Sequence, residues 1–148
     1  MLEKILLSID SLESAKKAAI KIMEIQKKNR SKIVIFYIYK IFHYPLLIYP
    51  YYTVHSLSYS LLRAENKVNG KNKMNLISQI FKKQNLEFEL NLIMNLDPIS
   101  YIIKNIEENR FDLFVIGCNQ KTILKHFIRR KIIKKILNHT NCDIMIIN

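Results

Sequence analysis

Residues 112–147, "DLFVIGCNQKTILKHFIRRKIIKKILNHTNCDIMII", hold the order of elements that decides the fold. Asp112 to Gly117 ("DLFVIG") is an apolar run closed by glycine, Thr122 to His139 reads as a helix, and Asp143 to Ile147 ("DIMII") is a second apolar run. Short apolar runs of this kind fit strands buried on both faces, and two of them joined through a helix make a parallel crossover. A strand that ends in glycine and opens into a helix is also where α/β proteins commonly hold phosphate, because the first helix amides are unpaired and the dipole favours anions. This loop has one glycine where a phosphate cradle normally has several. Three readings are open: a nucleotide site, a nucleotide site that has lost its function, or a plain connection.

Outward from this stretch the same alternation recurs. "EKILLSI" (Glu3 to Ile9) reads as a buried strand. Ser11 to Lys28 reads as a helix with Leu12, Ala15, Ala19, Ile22 and Met23 on its apolar face. Lys32 to Tyr39 gives a second buried strand. His55 to Gln84 is helical in pattern, with Leu57, Leu61, Ala64 and Val68 in register and Met74, Ile77 and Phe81 resuming it, although Gly70 weakens the middle. "LEFELNLIM" (Leu86 to Met94) alternates like a half-exposed edge strand, and "DPISYIIKNIEEN" opens a helix with Asp97 as cap and Pro98 in the first turn. Strands alternating with helices predict one open parallel sheet covered on both faces by right-handed crossovers.

The chain of 148 residues fits a single domain, 1–148, large enough to bury a core. Its apolar share of 49% and charged share of 24% are those of a folded globular protein. A net charge of +12 fits a nucleic-acid-binding surface. The abundance of Ile, Lys and Asn also fits compositional drift of an AT-rich coding sequence, which is the simpler account. Nucleic acid further lacks stacking partners beside the cations, because the aromatic residues gather in Phe36 to Tyr59 rather than in the basic stretch after Gly117.

The two cysteines, Cys118 and Cys142, make neither a disulfide framework nor a metal spacing, and the four histidines are scattered. Cys118 and Cys142 fall at opposite ends of neighbouring parallel strands, too far apart to bond. No catalytic constellation is found. The start "MLEKILLSID" carries Glu3 and Asp10 and does not read as a secretory signal, so a cytoplasmic location is expected. Ile33 to Val54 is apolar enough to suggest a membrane span, but Lys40, Pro45 and Pro50 interrupt it and its first part favours strand, so no span is expected. The tyrosine-rich loop from Tyr44 to Tyr52 either packs on the long helix or meets a protein partner.

"KILLSIDSLESAKKAAIKIMEIQ", "LDPISYIIK" and the stretch from Asp112 to Ile147 together resemble the universal stress protein family over essentially the full length. The resemblance implies a five-stranded Rossmann-like parallel sheet in the order 3-2-1-4-5 and a homodimer formed through the last strand. ATP-binding members carry, after the fourth strand, a glycine, two residues, a glycine, nine residues, and then a glycine with serine or threonine. Counted from Gly117, the second glycine falls on Gln120, the third on Arg130 and the hydroxyl on Lys131. The loop length is kept and its glycines are not.

By the same resemblance Asp10 matches an aspartate that bonds the ribose, and Ile38 and Ile116 match positions lining the adenine slot. Read from the residues alone, Asp10 is a helix cap before "SLESAKK". Side chains at Gln120 and Arg130 occupy the place of triphosphate, and Lys131 removes a hydroxyl. Lys121, Arg129, Arg130 and Lys131 are nevertheless cations able to replace amide contacts by ion pairs. The expected function is a small dimeric regulatory or stress-response protein without chemistry of its own and without ATP as cofactor. The alternatives are an ATP-binding member using Asp10 and the basic loop, at most a slow hydrolase, and a basic nucleic-acid-binding module.

Overall fold

A computed structural model of the chain describes residues 1–9, 11–38, 56–93, 98–117, 130 and 133–147. The elements are β1 (Lys4–Ile9), α1 (Leu12–Asn29), β2 (Lys32–Ile38), α2 (Ser56–Lys83), β3 (Phe88–Ile93), α3 (Pro98–Asn109), β4 (Leu113–Gly117), α4 (133–139) and β5 (Asp143–Ile147). The five strands form one sheet in the order β3-β2-β1-β4-β5, and every pairing is parallel. The Asp97 cap, the tyrosine-rich loop, Cys118 and the first part of the last helix lie outside the described residues.

The alternation of side chains along the strands builds two cores. Ile5, Leu7 and Ile9 of β1, with Ile33, Ile35 and Tyr37 of β2, face α1 and α2, where Ala15, Ala18, Ile22, Ile77 and Phe81 cover them. Leu6, Val34, Phe36, Phe114 and Ile116 face the other way, toward Ile102 and Ile106 of α3 and Ile136 of α4. β1 and β4 are central and buried along nearly their whole length, whereas β3 and β5 are outer strands with half-exposed residues. That difference is why the first two read as continuous apolar runs and β3 as an alternating one.

At the amino edge of the sheet, Asp112 ties three strands together. Its Oδ2 accepts from the amides of Glu3 and Lys4, each at 2.9 Å, its own amide donates to the Lys4 carbonyl at 2.9 Å, and its carbonyl accepts from Asp143 at 3.0 Å. Lys4 reaches the Asn109 carbonyl at 3.1 Å and lies over the Phe111 ring. Ser31 donates to the Leu2 carbonyl beside it.

The long helix expected over His55 to Gln84 is found at Ser56–Lys83, and the face assigned to one of its residues is corrected. α2 runs unbroken through Gly70, which is buried: packing of the Gly70, Met74, Ile77 and Phe81 side outweighs the roughly 1 kcal/mol that an interior glycine costs. Val68, predicted on the apolar face, is 58% exposed, because two residues of helix turn it about 200° from Gly70.

Candidate functional site

The carboxyl ends of β1, β2 and β4 meet at one edge. Ile9 is level with Tyr37 on one side and with Gly117 on the other, and Ser8 is level with Phe36 and Ile116. From β1 the chain goes to β2 and β3 on one side, while β4 and β5 fill the other, so the β1–β4 pair straddles the point where strand order reverses. Ligands of open parallel sheets collect above such a point.

Gly117 sits at the centre of this edge and is buried. A Cβ placed on it would lie 3.2 Å from Ile9 Cγ2 and 3.5 Å from both the Cβ and the carbonyl oxygen of Ser14. No described glycine has a positive φ, so what favours glycine at this position is space and not backbone conformation. The first turn of α1 lies against the end of β4 at ordinary contact distance, and the tight neighbour of an added methyl is Ile9 of β1.

That first turn is closed by its own residues. Ser11 is the N-cap, correcting the cap expected at Asp10. Ser11 Oγ accepts from the Ser14 amide at 3.1 Å, and Ser14 Oγ accepts from the Ser11 amide at 3.2 Å. The Ala15 amide donates to the Ser11 carbonyl at 3.1 Å. Serine at Ncap and N3 forms a reciprocal capping box, with the second serine in the place glutamate or glutamine usually takes. Amides engaged this way are no longer available to an anion. Sequence reading missed this pair, although the spacing Ser11-Leu12-Glu13-Ser14 carried the signal.

Of the residues expected to line a nucleotide pocket, the structure brings Ile116 and Gly117 together at the carboxyl edge. Ile116 is 6% exposed, packed in the core on the α3 side. Ile38 is the last residue of β2, paired with Ile93, two positions beyond the level of Ile116. Arg130 is helical and exposed, as are Lys134 and Lys135 in the following turn. Asp10, Gln120 and Lys131 lie outside the described residues. No group of three or more metal-binding side chains occurs among the described residues.

A hollow of about 680 Å³ opens at the opposite, amino edge, lined by Leu2, Ile106, Arg110, Phe111, His139 and Cys142 among others. It is the gap between the chain start and the turns entering β4 and β5, on the side of a parallel sheet that does not ordinarily carry ligands. Cys142 in its wall is a free, buried thiol. Burial, and then the charges of Asp143 and Asp112, push its pKa up to about 11, against a smaller pull from the Phe114 backbone. Its thiolate is scarce near neutral pH, so it is a poor nucleophile.

The whole arrangement has solved counterparts. A universal stress protein family member from Burkholderia pseudomallei is 16% identical with a TM-score of 0.65, covering 99% of this chain and 96% of its own. The Archaeoglobus fulgidus universal stress protein in complex with dAMP is 14% identical with a TM-score of 0.63, covering 100% and 98%. An Arabidopsis thaliana universal stress protein family protein with AMP bound is 15% identical with a TM-score of 0.58, covering 98% and 90%. No match is found among curated proteins. With the sheet order, the capped first helix and the glycine-ended fourth strand in place, the family profile for universal stress proteins matches residues 1–148, and the chain belongs to the universal stress protein family.

Proposed function

We propose that the chain is a non-catalytic, dimeric regulatory member of the family that does not hold ATP in the family's usual way. The observation that carries this reading is the loop after β4, where Gln120, Arg130 and Lys131 stand at the second glycine, the third glycine and the hydroxyl position. The remaining glycine, Gly117, has a packing reason to be there that involves no ligand. A cradle for phosphate needs backbone amides that nothing shields, and side chains at two of three glycine positions shield them.

Calorimetry with ATP on the wild type and on the combined Gln120→Gly, Arg130→Gly, Lys131→Ser variant tests it. Each regained amide or hydroxyl contact to charged phosphate is worth roughly 1.5–3 kcal/mol, so two contacts raise affinity by about a hundredfold or more. Tight wild-type binding abolished by the change would instead make the cations themselves the site.

A second reading is favoured by the neighbours solved with dAMP and AMP: an adenine-nucleotide-binding member that uses Asp10, Ile38 and Ile116 for the nucleoside and the basic loop for phosphate. Mass spectrometry of the supernatant from denatured, freshly purified protein separates the two. Copurifying adenine nucleotide selects the second reading.

Dimerisation is proposed through β5. Apart from Asp143 this outer strand has only apolar side chains, each half-exposed, whereas the other outer strand, β3, carries Glu89 and Asn91. Polar and charged residues protect an edge from pairing, and β5 has none beyond its first position. A second copy running antiparallel along β5 satisfies both edges by two-fold symmetry. Light scattering at micromolar concentration should give a dimer that Met145→Lys converts to monomer; a wild-type monomer refutes the assignment. Among the described residues no helix is long and apolar enough to cross a membrane.

A further inference from the structure

The layer made by α1 and α2 joins two features that neither the fold nor the proposed function uses. The first is its charge. The described part of α2 from Val68 onward carries Lys71, Lys73, Lys82 and Lys83 and no acid, and every one of these lysines is exposed. α1 carries exposed lysines throughout, and its two glutamates are held locally, Glu13 by Lys17 at 3.5 Å and Glu24 by Lys21 at 3.0 Å. On the opposite layer α4 is basic, but α3 carries Lys104 against Glu107 and Glu108, and although Glu108 is held by Lys104 at 3.8 Å, Glu107 has no such pair on its own helix, so the excess of cations among the described residues is smaller there.

The second feature is apolar. Ile20 is 53% exposed, Val68 58% and Leu76 46%, and all three stand on α1 and α2 among the lysines. Ile20 is one turn from Lys16, and Lys27 follows on the same side. On α2, Lys71 and Lys82 repeat that three-turn spacing, close to Val68. The helices also end at the same height, since Gln26 Nε2 donates both to the Ser31 carbonyl at 3.1 Å and to the Glu87 carbonyl at 3.4 Å. Ile20 and Leu76 therefore lie at similar depths, about 14 and 10 Å from those ends at 1.5 Å per residue.

Compositional drift supplies lysines, and the helix dipoles account for those in the last turns, Lys27, Lys28, Lys82 and Lys83. Neither accounts for aliphatic side chains left in water between them. Nucleic acid would use the lysines but leave Ile20, Val68 and Leu76 without a role, and neither α1 nor α2 from Val68 onward exposes an aromatic side chain to stack on bases. A bilayer carrying anionic headgroups uses both: lysines are drawn to the surface charge, and aliphatic groups enter the boundary between headgroup and acyl chain. We propose that the α1–α2 face is a docking surface for an anionic lipid bilayer, attracted by its lysines and seated by Ile20, Val68 and Leu76.

The test is sedimentation of the full chain with phosphatidylcholine vesicles, with and without phosphatidylglycerol, over a range of salt. Binding is expected only with phosphatidylglycerol and should weaken as salt rises. Replacing Lys16, Lys27, Lys71 and Lys82 by Gln should cost about fivefold per lysine, a hundredfold or more together. Ile20→Ser with Leu76→Ser should weaken binding at unchanged net charge, while Lys134→Gln with Lys135→Gln on the opposite layer should leave it as it was. All these positions are exposed, so the variants should unfold cooperatively, with urea midpoints lowered only slightly where Lys27 and Lys82 leave the last turns of their helices. Failure to bind phosphatidylglycerol vesicles overturns the proposal, as does equal loss in the opposite-layer variant. Retention of a duplex oligonucleotide in place of vesicles overturns it in favour of nucleic acid.

Discussion

Gly117→Ala separates a glycine kept for packing from one kept for a ligand. The added methyl meets Ile9 Cγ2 at 3.2 Å, and Ile9 is fully buried, so the contact must open by a few tenths of an ångström inside the core. Overpacking of this kind costs about 1–3 kcal/mol. Against it stands the entropy that alanine removes from the unfolded chain, about 0.4–1 kcal/mol at a site of ordinary backbone conformation. The net expectation is a loss of about 1 kcal/mol, read in urea as a lower midpoint at unchanged slope. The partner is identified by a cycle with Ile9→Ala. That change alone costs about 2–5 kcal/mol. It also removes the atom the new methyl strikes, so the double variant should be more stable than the two single losses added together, by about 1 kcal/mol. A Gly117→Ala protein stabilised by 0.4 kcal/mol or more, the range for a strain-free replacement, would refute the packing argument and return the glycine to the ligand.

Asp112→Ala removes the acceptor of the Glu3 and Lys4 amides and should cost about 2–3 kcal/mol by thermal or urea unfolding; Asp112→Asn, which keeps a carbonyl oxygen, should cost less. Ser11→Ala breaks the capping box of α1 and should cost about 1 kcal/mol, with a smaller loss for Ser11→Gly. For Cys142, burial raises the thiol from 9.0 to about 11, so its contribution to stability is complete below pH 9 and disappears as pH rises through 11. The difference in stability between wild type and Cys142→Ala should shrink over that window, and a thiol reagent at neutral pH should label Cys142 only after unfolding.

The sheet was legible because its central strands are buried on both faces. After Lys4, "ILLSI" and "LFVIG" are buried throughout with Ser8 as their one polar residue, and only a doubly covered strand tolerates such a run. Helix faces were legible where burial is deep, as at Ala15 and Ile22, and misread where it ends, as at Val68. Periodicity fixes the angle between side chains but not how far the core extends around the helix. Capping was assigned one residue early because aspartate and serine are equally good caps, and the Ser11–Ser14 spacing, which favours the second through reciprocal bonds, was overlooked. In the site, the altered loop positions Gln120, Arg130 and Lys131 could be counted directly. The role of Gly117 could not, because its reason is a through-space contact with Ile9 of β1, more than a hundred residues earlier.

The clamp at Asp112 also bears on the order in which the protein is made. It holds the amides of Glu3 and Lys4 from 109 and 108 residues away, and β1, the middle strand of the sheet, gains its second neighbour only when β4 appears. While β2 and β3 are synthesised and added on one side, the other edge of β1 stays open, for about 5–20 s at roughly 5–20 residues per second. During that interval the nascent chain displays an apolar, unpaired strand edge, which is a template for pairing with other chains. Pairing of β4 with β1, once β4 has left the ribosome, therefore completes the sheet's middle and closes that open edge together.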